Sequence, residues 1–216
     1  MSNFIRKSLA LLTALSLASL ISCSEKKESS SSVSELSVAE GEFVTDPSEP
    51  DLGAYTVNEN GRKLYYDPEQ YDASLVEALE DYFVTFSEND FDTYLSMAQS
   101  DYAEKMEAYL QKDFGYGMQT SFEKQCESLR SNAGGEFKVT RIKVEAPSED
   151  GTEGYLKDLG EIFGDDTFYD TVVANTDKLH DVMFYIMAEA NGEETLLISE
   201  FEIIFAEKDG KYYMFG

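Results

Sequence analysis

The dipeptide Asn191-Gly192 constrains this chain more than any other feature. It separates two long β-prone runs and favours the two-residue type I′ turn whose twist suits a hairpin. Counting outward from such a turn pairs Ala190 with Glu193, Ile186 with Leu197, Phe184 with Ser199, Val182 with Phe201 and His180 with Ile203. Apolar residues then meet on one face, interrupted only at Ser199 and His180. A second turn at Asp209-Gly210 adds a third strand and sets Tyr212 against Glu207, Met214 against Phe205 and Phe215 against Ile204. The opposite face mixes Asp181, Glu189, Glu194, Glu200 and Glu202 with Met183, Tyr185 and Met187, and reads as the more solvated side. An antiparallel meander with one apolar face needs a cover, which the first half of the chain must supply.

That cover is helical. From Ser74, the residues Leu75, Leu79, Phe83 and Phe86, joined by Val76 and Tyr82, form one apolar stripe, with Ser74 and Glu77 in capping-box spacing. Asn89-Asp90 breaks this helix and caps a short one carrying Phe91, Tyr94 and Leu95. Ser100 is read as the cap of a third, with Tyr102, Met106, Tyr109 and Leu110, ended by Gly115-Tyr116-Gly117. Thr120 with Glu123 repeats the capping box for a fourth, which carries Phe122, Cys126 and Leu129 and stops at Gly134-Gly135. The period then changes to two, but Phe137 and Val139 alternate in one phase and Ile142 and Val144 in the other, which predicts a bulge near Thr140 or Arg141. A helix through Tyr155, Leu156, Leu159, Ile162 and Phe163, and another around Phe168, Val172 and Val173, then separate this bent strand from the meander. Earlier, Tyr55-Thr56-Val57 and Lys63-Leu64-Tyr65 flank Asn60-Gly61 and predict a small hairpin over 55–66.

The N-terminus sets location. Arg6 and Lys7 precede an apolar run that ends at Ile21, too short for a bilayer-spanning helix, so residues 1–22 read as a signal peptide. The run Leu20-Ile21-Ser22-Cys23, followed by polar residues, resembles the lipobox of bacterial lipoproteins. The resemblance implies that the Cys23 thiol is alkylated by a diacylglycerol, that the preceding bond is cut, and that the chain is held to a membrane, inner or outer, facing the extracytoplasmic side. Residues 23–52, rich in Ser and Glu and without hydrophobic periodicity, read as a disordered tether. A chain of that length holds the following domain roughly 30 Å from the lipid. The remainder, 53–216, is one domain with a single core.

The element order, helices first, then a bent strand, two helices and a meander closing on Asp209-Gly210-Lys211-Tyr212, resembles the nuclear transport factor 2-like (cystatin-like) superfamily. The fold it implies is α+β: N-terminal helices packed on a curved, cone-like antiparallel sheet, with a helical insertion between the first and second main strands. In such a cone the derived register points His180, Ser199 and Tyr212 inward among Phe184 and Phe201, and these five form the candidate pocket. Bulky Phe, Tyr, Leu and Met side chains from the helices are also enough to fill it.

The chemistry on offer is sparse. With 43 acidic residues against 17 basic and a net charge of −26, the chain is a poor ligand for nucleic acid. Its expected partners are the membrane, through Cys23, and a protein or small apolar ligand. His180 is the only histidine, which excludes a two-histidine zinc site and leaves one imidazole base. A cone-fold enzyme of the isomerase or dehydratase kind using His180 as base is therefore the alternative reading, but no second catalytic carboxylate can be placed on the same face, and no catalytic residue, metal site or cofactor is assigned. Thr56-x-Asn58-x-Asn60-Gly61 with Asp67 lacks the first Asp and final Glu of a calcium loop. Cys126 shares the stripe of Phe122 and Leu129 and reads as a small buried apolar residue. The acidic face of the sheet offers a third reading, a protein-interaction module with a basic partner.

Overall fold

The computed structural model describes residues 41–216; the signal segment 1–22, Cys23 and most of the expected tether lie outside the described residues. Among the described residues seven strands form one open sheet in chain order: β1 (Val44–Thr45), β2 (Ala54–Val57), β3 (Lys63–Tyr65), β4 (Phe137–Glu145), β5 (Lys178–Ala190), β6 (Glu193–Lys208) and β7 (Lys211–Phe215). All neighbours are antiparallel except β3 and β4. A parallel pair requires a long crossover, and four helices provide it: α1 (Ala73–Glu88), α2 (Phe91–Met97), α3 (Ser100–Phe114) and α4 (Met118–Ala133). Two more, α5 (Thr152–Phe163) and α6 (Phe168–Asn175), connect β4 to β5. The class is α+β, with six helices and a mostly antiparallel sheet among the described residues.

The apolar stripe of α1 makes the contact that joins helices to sheet. Leu75, Leu79, Phe83 and Phe86 are buried, and the Phe83 ring lies 4.5 Å from that of Phe184 on β5. Each such side chain contributes about 1.5–3 kcal/mol of burial. The hairpin of β2 and β3 is tied to the same helix by charge: Arg62, next to its turn, pairs with the buried carboxylate of Glu80, which also accepts from Asn58, and Arg62 Nε donates to the Val139 carbonyl at 3.2 Å. Cys126 is fully buried, and burial pushes its thiol up to about 11, which leaves it without thiolate character at neutral pH.

Three helix starts differ from the sequence reading. The N-cap of α1 is Asp72, and Ser74 instead directs its hydroxyl to that of Tyr212, 3.2 Å away. The cap of α3 is Gln99, whose side chain accepts from Tyr102 N–H at 2.7 Å, so Ser100 is already helical. In α4 the helix begins at Met118, ahead of Thr120, because the Glu107 carboxylate of α3 accepts its N–H at 2.6 Å. A donor orphaned at a helix start is satisfied here by a neighbouring helix rather than by a local cap. The cap at Asp90 is as expected, accepting from Thr93 N–H at 3.0 Å, and Asn89 and Gly134 end their helices in the left-handed region.

The register follows the sequence where the phase was visible. The β4 register breaks between Val139 and Arg141, leaving Thr140 as the bulge, with Phe137, Val139, Ile142 and Val144 all buried. Tyr212 opposes Glu207, Met214 opposes Phe205 and Phe215 opposes Ile204. The hairpin over 55–66 forms, with Tyr55 opposite Tyr65. In the long hairpin, Ala190 meets Glu193, but two irregularities follow: Ile186 pairs with Ile198, Phe184 with Phe201, Val182 with Ile203 and His180 with Phe205. The expected pairs Ile186 with Leu197, Phe184 with Ser199, Val182 with Phe201 and His180 with Ile203 are thus wrong. Leu197 is one extra residue, and Ser199-Glu200 together oppose Tyr185, with Glu200 at φ 54°. Two single-residue slips restore the parity of a period-two strand, so Phe201, Ile203 and Phe205 keep the face of Phe184 while Ser199 is exposed at the bulge. The folded part also begins earlier than Gly53: Val44 and Thr45 pair with Tyr55 and Ala54, and a 3₁₀ turn (Pro50–Leu52) follows, all inside the stretch read as tether. Ser, Glu and Pro suit a turn and a short edge strand as well as a tether.

Candidate functional site

The inner face of the sheet carries Val182, Phe184 and Ile186, and it is packed. Phe184 is buried between the rings of Phe83 at 4.5 Å and Phe201 at 5.2 Å. His180 and Tyr212 come together at the end of this face, their rings 5.6 Å apart and edge-on, and His180 Nε2 lies 2.9 Å from a Glu207 carboxylate oxygen. Ser74 of α1 completes that rim cluster through Tyr212. The five sequence candidates are therefore divided: Phe184 and Phe201 sit in packing, His180 and Tyr212 at the rim, and Ser199 on the exposed bulge.

The outer face over β2 to β5 is different. Strand pairing places Lys63, Arg141, Met187 and Leu196 in one row across it, and Tyr55, Tyr65, Lys143 and Tyr185 in the next. Residues on alternate positions of paired strands share a face, so both rows point away from the helices that pack on Phe184. The segment Glu49–Leu52 lies over these rows. It creates a groove of about 620 Å³, lined by Leu52, Tyr65, Tyr185, Met187 and Leu196 with Glu49, Asp51, Arg141, Lys143 and Glu145. A second groove of about 650 Å³ shares Asp51, Leu52, Tyr65, Lys143 and Glu145 and continues past Tyr66 to Tyr71.

The polar groups converge on one ring. Tyr65 is only 2% exposed, and its hydroxyl makes no well-formed hydrogen bond, although the Arg141 guanidinium lies close enough to act on it. Burial pushes its pKa up to about 12, with Arg141 and Glu49 as charged neighbours acting in opposite directions, so the hydroxyl keeps its proton and is free to donate. Arg141 is held on both sides, by Glu49 and by Glu194 at 2.7 Å, and Lys143 pairs with Glu145 at 2.7 Å. An apolar groove with one uncommitted buried donor and a fixed cation suits a small, largely apolar molecule carrying one acceptor group.

Beyond the groove, Asp181 and Glu202 are diagonal neighbours on the same outer face. Asp181 accepts from the Gly151 N–H at 2.6 Å, while its other oxygen and one oxygen of Glu202 are buried with no donor other than each other's carboxyl proton. Burial first, and then the neighbouring Asp181 carboxyl, push Glu202 up to about 7; burial also raises Asp181. One proton is shared where two carboxylates would repel. Among the described residues no group of three or more His, Cys, Asp and Glu is arranged to hold a metal.

Compared with known proteins, the chain matches no protein-family model, no curated protein and no solved structure.

None of the five candidate pocket residues lines the groove; Tyr185 and Met187 entered the sequence reading only as members of the acidic outer face. The available signal was the presence of Met183, Tyr185 and Met187 on a face otherwise acidic, since large apolar groups on a solvated face call for a cover.

Proposed function

We propose that the chain is a lipid-anchored, extracytoplasmic binding lipoprotein, tethered to its membrane through Cys23, whose domain takes up a small apolar ligand or a partner's apolar group in the outer groove. The single observation that carries the binding assignment is the largely apolar groove of about 620 Å³ on the outer face, lined by Leu52, Tyr65, Tyr185, Met187 and Leu196 beside Arg141. The element order supports reading the domain as a nuclear transport factor 2-like cone with α5 and α6 as its helical insertion, and the lipobox supports the anchor. Residues 23 to about 43 are the tether in this reading. An enzyme using His180 as base is the alternative reading: its Nε2 lies 2.9 Å from the Glu207 carboxylate, at the rim of a face where Phe184 and Phe201 pack ring against ring. No described helix is long and apolar enough to cross a membrane.

The anchor is tested by growth with an alkyne-tagged palmitate in a bacterial host and mass spectrometry of the mature N-terminus. The wild-type chain should take the label and begin at a modified Cys23, and Cys23→Ala should take none. An unlabelled wild-type chain, or one beginning downstream of Cys23, contradicts the proposal.

A further inference from the structure

The outer groove has one polar end, where Arg141 of β4 sits between two carboxylates that are held very differently. Glu194 of β6 belongs to the sheet. It takes Arg141 Nε at 3.0 Å and Nη2 at 2.7 Å in a two-pronged pair, and accepts from the Thr140 hydroxyl at 2.6 Å. Glu49 comes from the segment that roofs the groove and meets only the remaining nitrogen, Nη1. Its carboxylate has no other partner among the described residues, and its side chain is the more exposed of the two. The backbone bonds around it are internal to the roof, Glu49 N–H to the Asp46 carbonyl and Leu52 N–H to the Glu49 carbonyl, both 3.1 Å. Withdrawing the Glu49 side chain therefore breaks no bond of the sheet ladder.

The buried hydroxyl of Tyr65 lies at the same end, close to both Arg141 and Glu49, and makes no well-formed hydrogen bond. A guanidinium can only donate, so its approach to the Tyr65 oxygen leaves the hydroxyl proton unused. An acceptor that reached Nη1 from within the groove would meet both donors, one more than Glu49 meets from the roof. Beyond this end the walls are apolar: Leu52, Tyr185, Met187 and Leu196. We propose, resting on the assignment of this groove as the ligand site, that its ligand is an amphiphile with one carboxylate on an apolar body, and that this carboxylate displaces Glu49 from Arg141 while accepting from the Tyr65 hydroxyl. A net charge of −26 opposes an added anion, which is why the carboxylate enters by exchange. Arg141 keeps two acidic partners, and Glu49 turns to solvent, where its charge is screened. Lys143 offers no rival anchor, being paired with Glu145 at 2.7 Å.

The test titrates octanoate, octanol and octylamine into the purified chain, with affinity read by calorimetry and place by the Met187 methyl resonance. Octanoate should bind at least about threefold more tightly than octanol, the gain of charge-assisted bonds less the ion pair they replace. It alone should speed amide exchange over residues 46–52. Glu49→Gln, which removes the competing charge, should tighten octanoate about twofold to fivefold, the range of a part-exposed ion pair, and leave octanol where it was. Tyr65→Phe should weaken octanoate roughly threefold to tenfold, the loss of one hydrogen bond. Octanol binding as tightly as octanoate, octylamine binding most tightly, or an octanoate affinity that Glu49→Gln lowers or leaves unchanged would overturn the exchange while leaving the groove as the ligand site. A Met187 methyl that none of the three compounds moves would overturn both.

Discussion

The inner and outer faces of the sheet are made from the same strands, alternate residue by alternate residue, yet one is filled and the other is grooved. Inward, Phe184 and Val144 meet the aromatic stripe of α1, and ring contacts such as Phe83 with Phe184 at 4.5 Å leave packing rather than space. Outward, Tyr65, Tyr185 and Met187 are covered only by a short segment around Glu49, latched to Arg141. A helix brings a whole stripe of side chains to a sheet, whereas a single strap brings two or three. The lesson is that a site forms where the cover is thin, and that cover is thin where the chain lacks periodicity.

The contrast can be broken from the inside most severely. Phe184→Ala should cost about 3–5 kcal/mol in urea unfolding, the cost of a large cavity in a close-packed core. A loss below about 1 kcal/mol would show that the inner face has room and that the filled reading is wrong. A smaller effect is expected from the Asp181–Glu202 pair. Glu202 is raised in the folded state, to about 7 from an ordinary value of 4.5, so its contribution to stability is complete below about 4.5 and lost as pH rises through about 7. The melting temperature should fall across that window, and Glu202→Gln should flatten the fall. A wild-type melting curve that rises with pH there would contradict the shared proton. The smallest effect belongs to Ser199→Leu, which should stay within about 0.5 kcal/mol because Ser199 is exposed on a bulge. A cost of about 1–3 kcal/mol, the mark of overpacking, would return Ser199 to the interior.

Much of the fold was legible because its signals are local. Two glycine turns, the phase change at Thr140 and the stripe Leu75-Leu79-Phe83-Phe86 each carry their instruction within a few residues. The two slips in β6 were not, since Leu196-Leu197-Ile198 is apolar without a break and hides its phase, and the left-handed position falls on Glu200 rather than a glycine. The groove was invisible for a different reason. Its roof lies in a Ser- and Glu-rich stretch with no pattern, and the latch from Glu49 to Arg141 joins residues 92 positions apart. Of the five candidate residues, only the neighbours His180 and Tyr212 share a polar cluster, because both lie on segments whose register was counted without an intervening error or with a parity-preserving one.

The central claim is that ligands meet the outer face and leave the interior closed. Carbon-13 labelling of the methionine methyls reads both at once, since Met187 lines the groove while Met106 and Met214 are buried in the core. Titrating a set of small aromatic and aliphatic compounds bearing one carbonyl or carboxylate should move the Met187 methyl and leave Met106 and Met214 in place, and Tyr65→Phe should weaken the response. Shifts at Met106 and Met214 with Met187 unmoved would place the ligand inside the sheet and contradict the account.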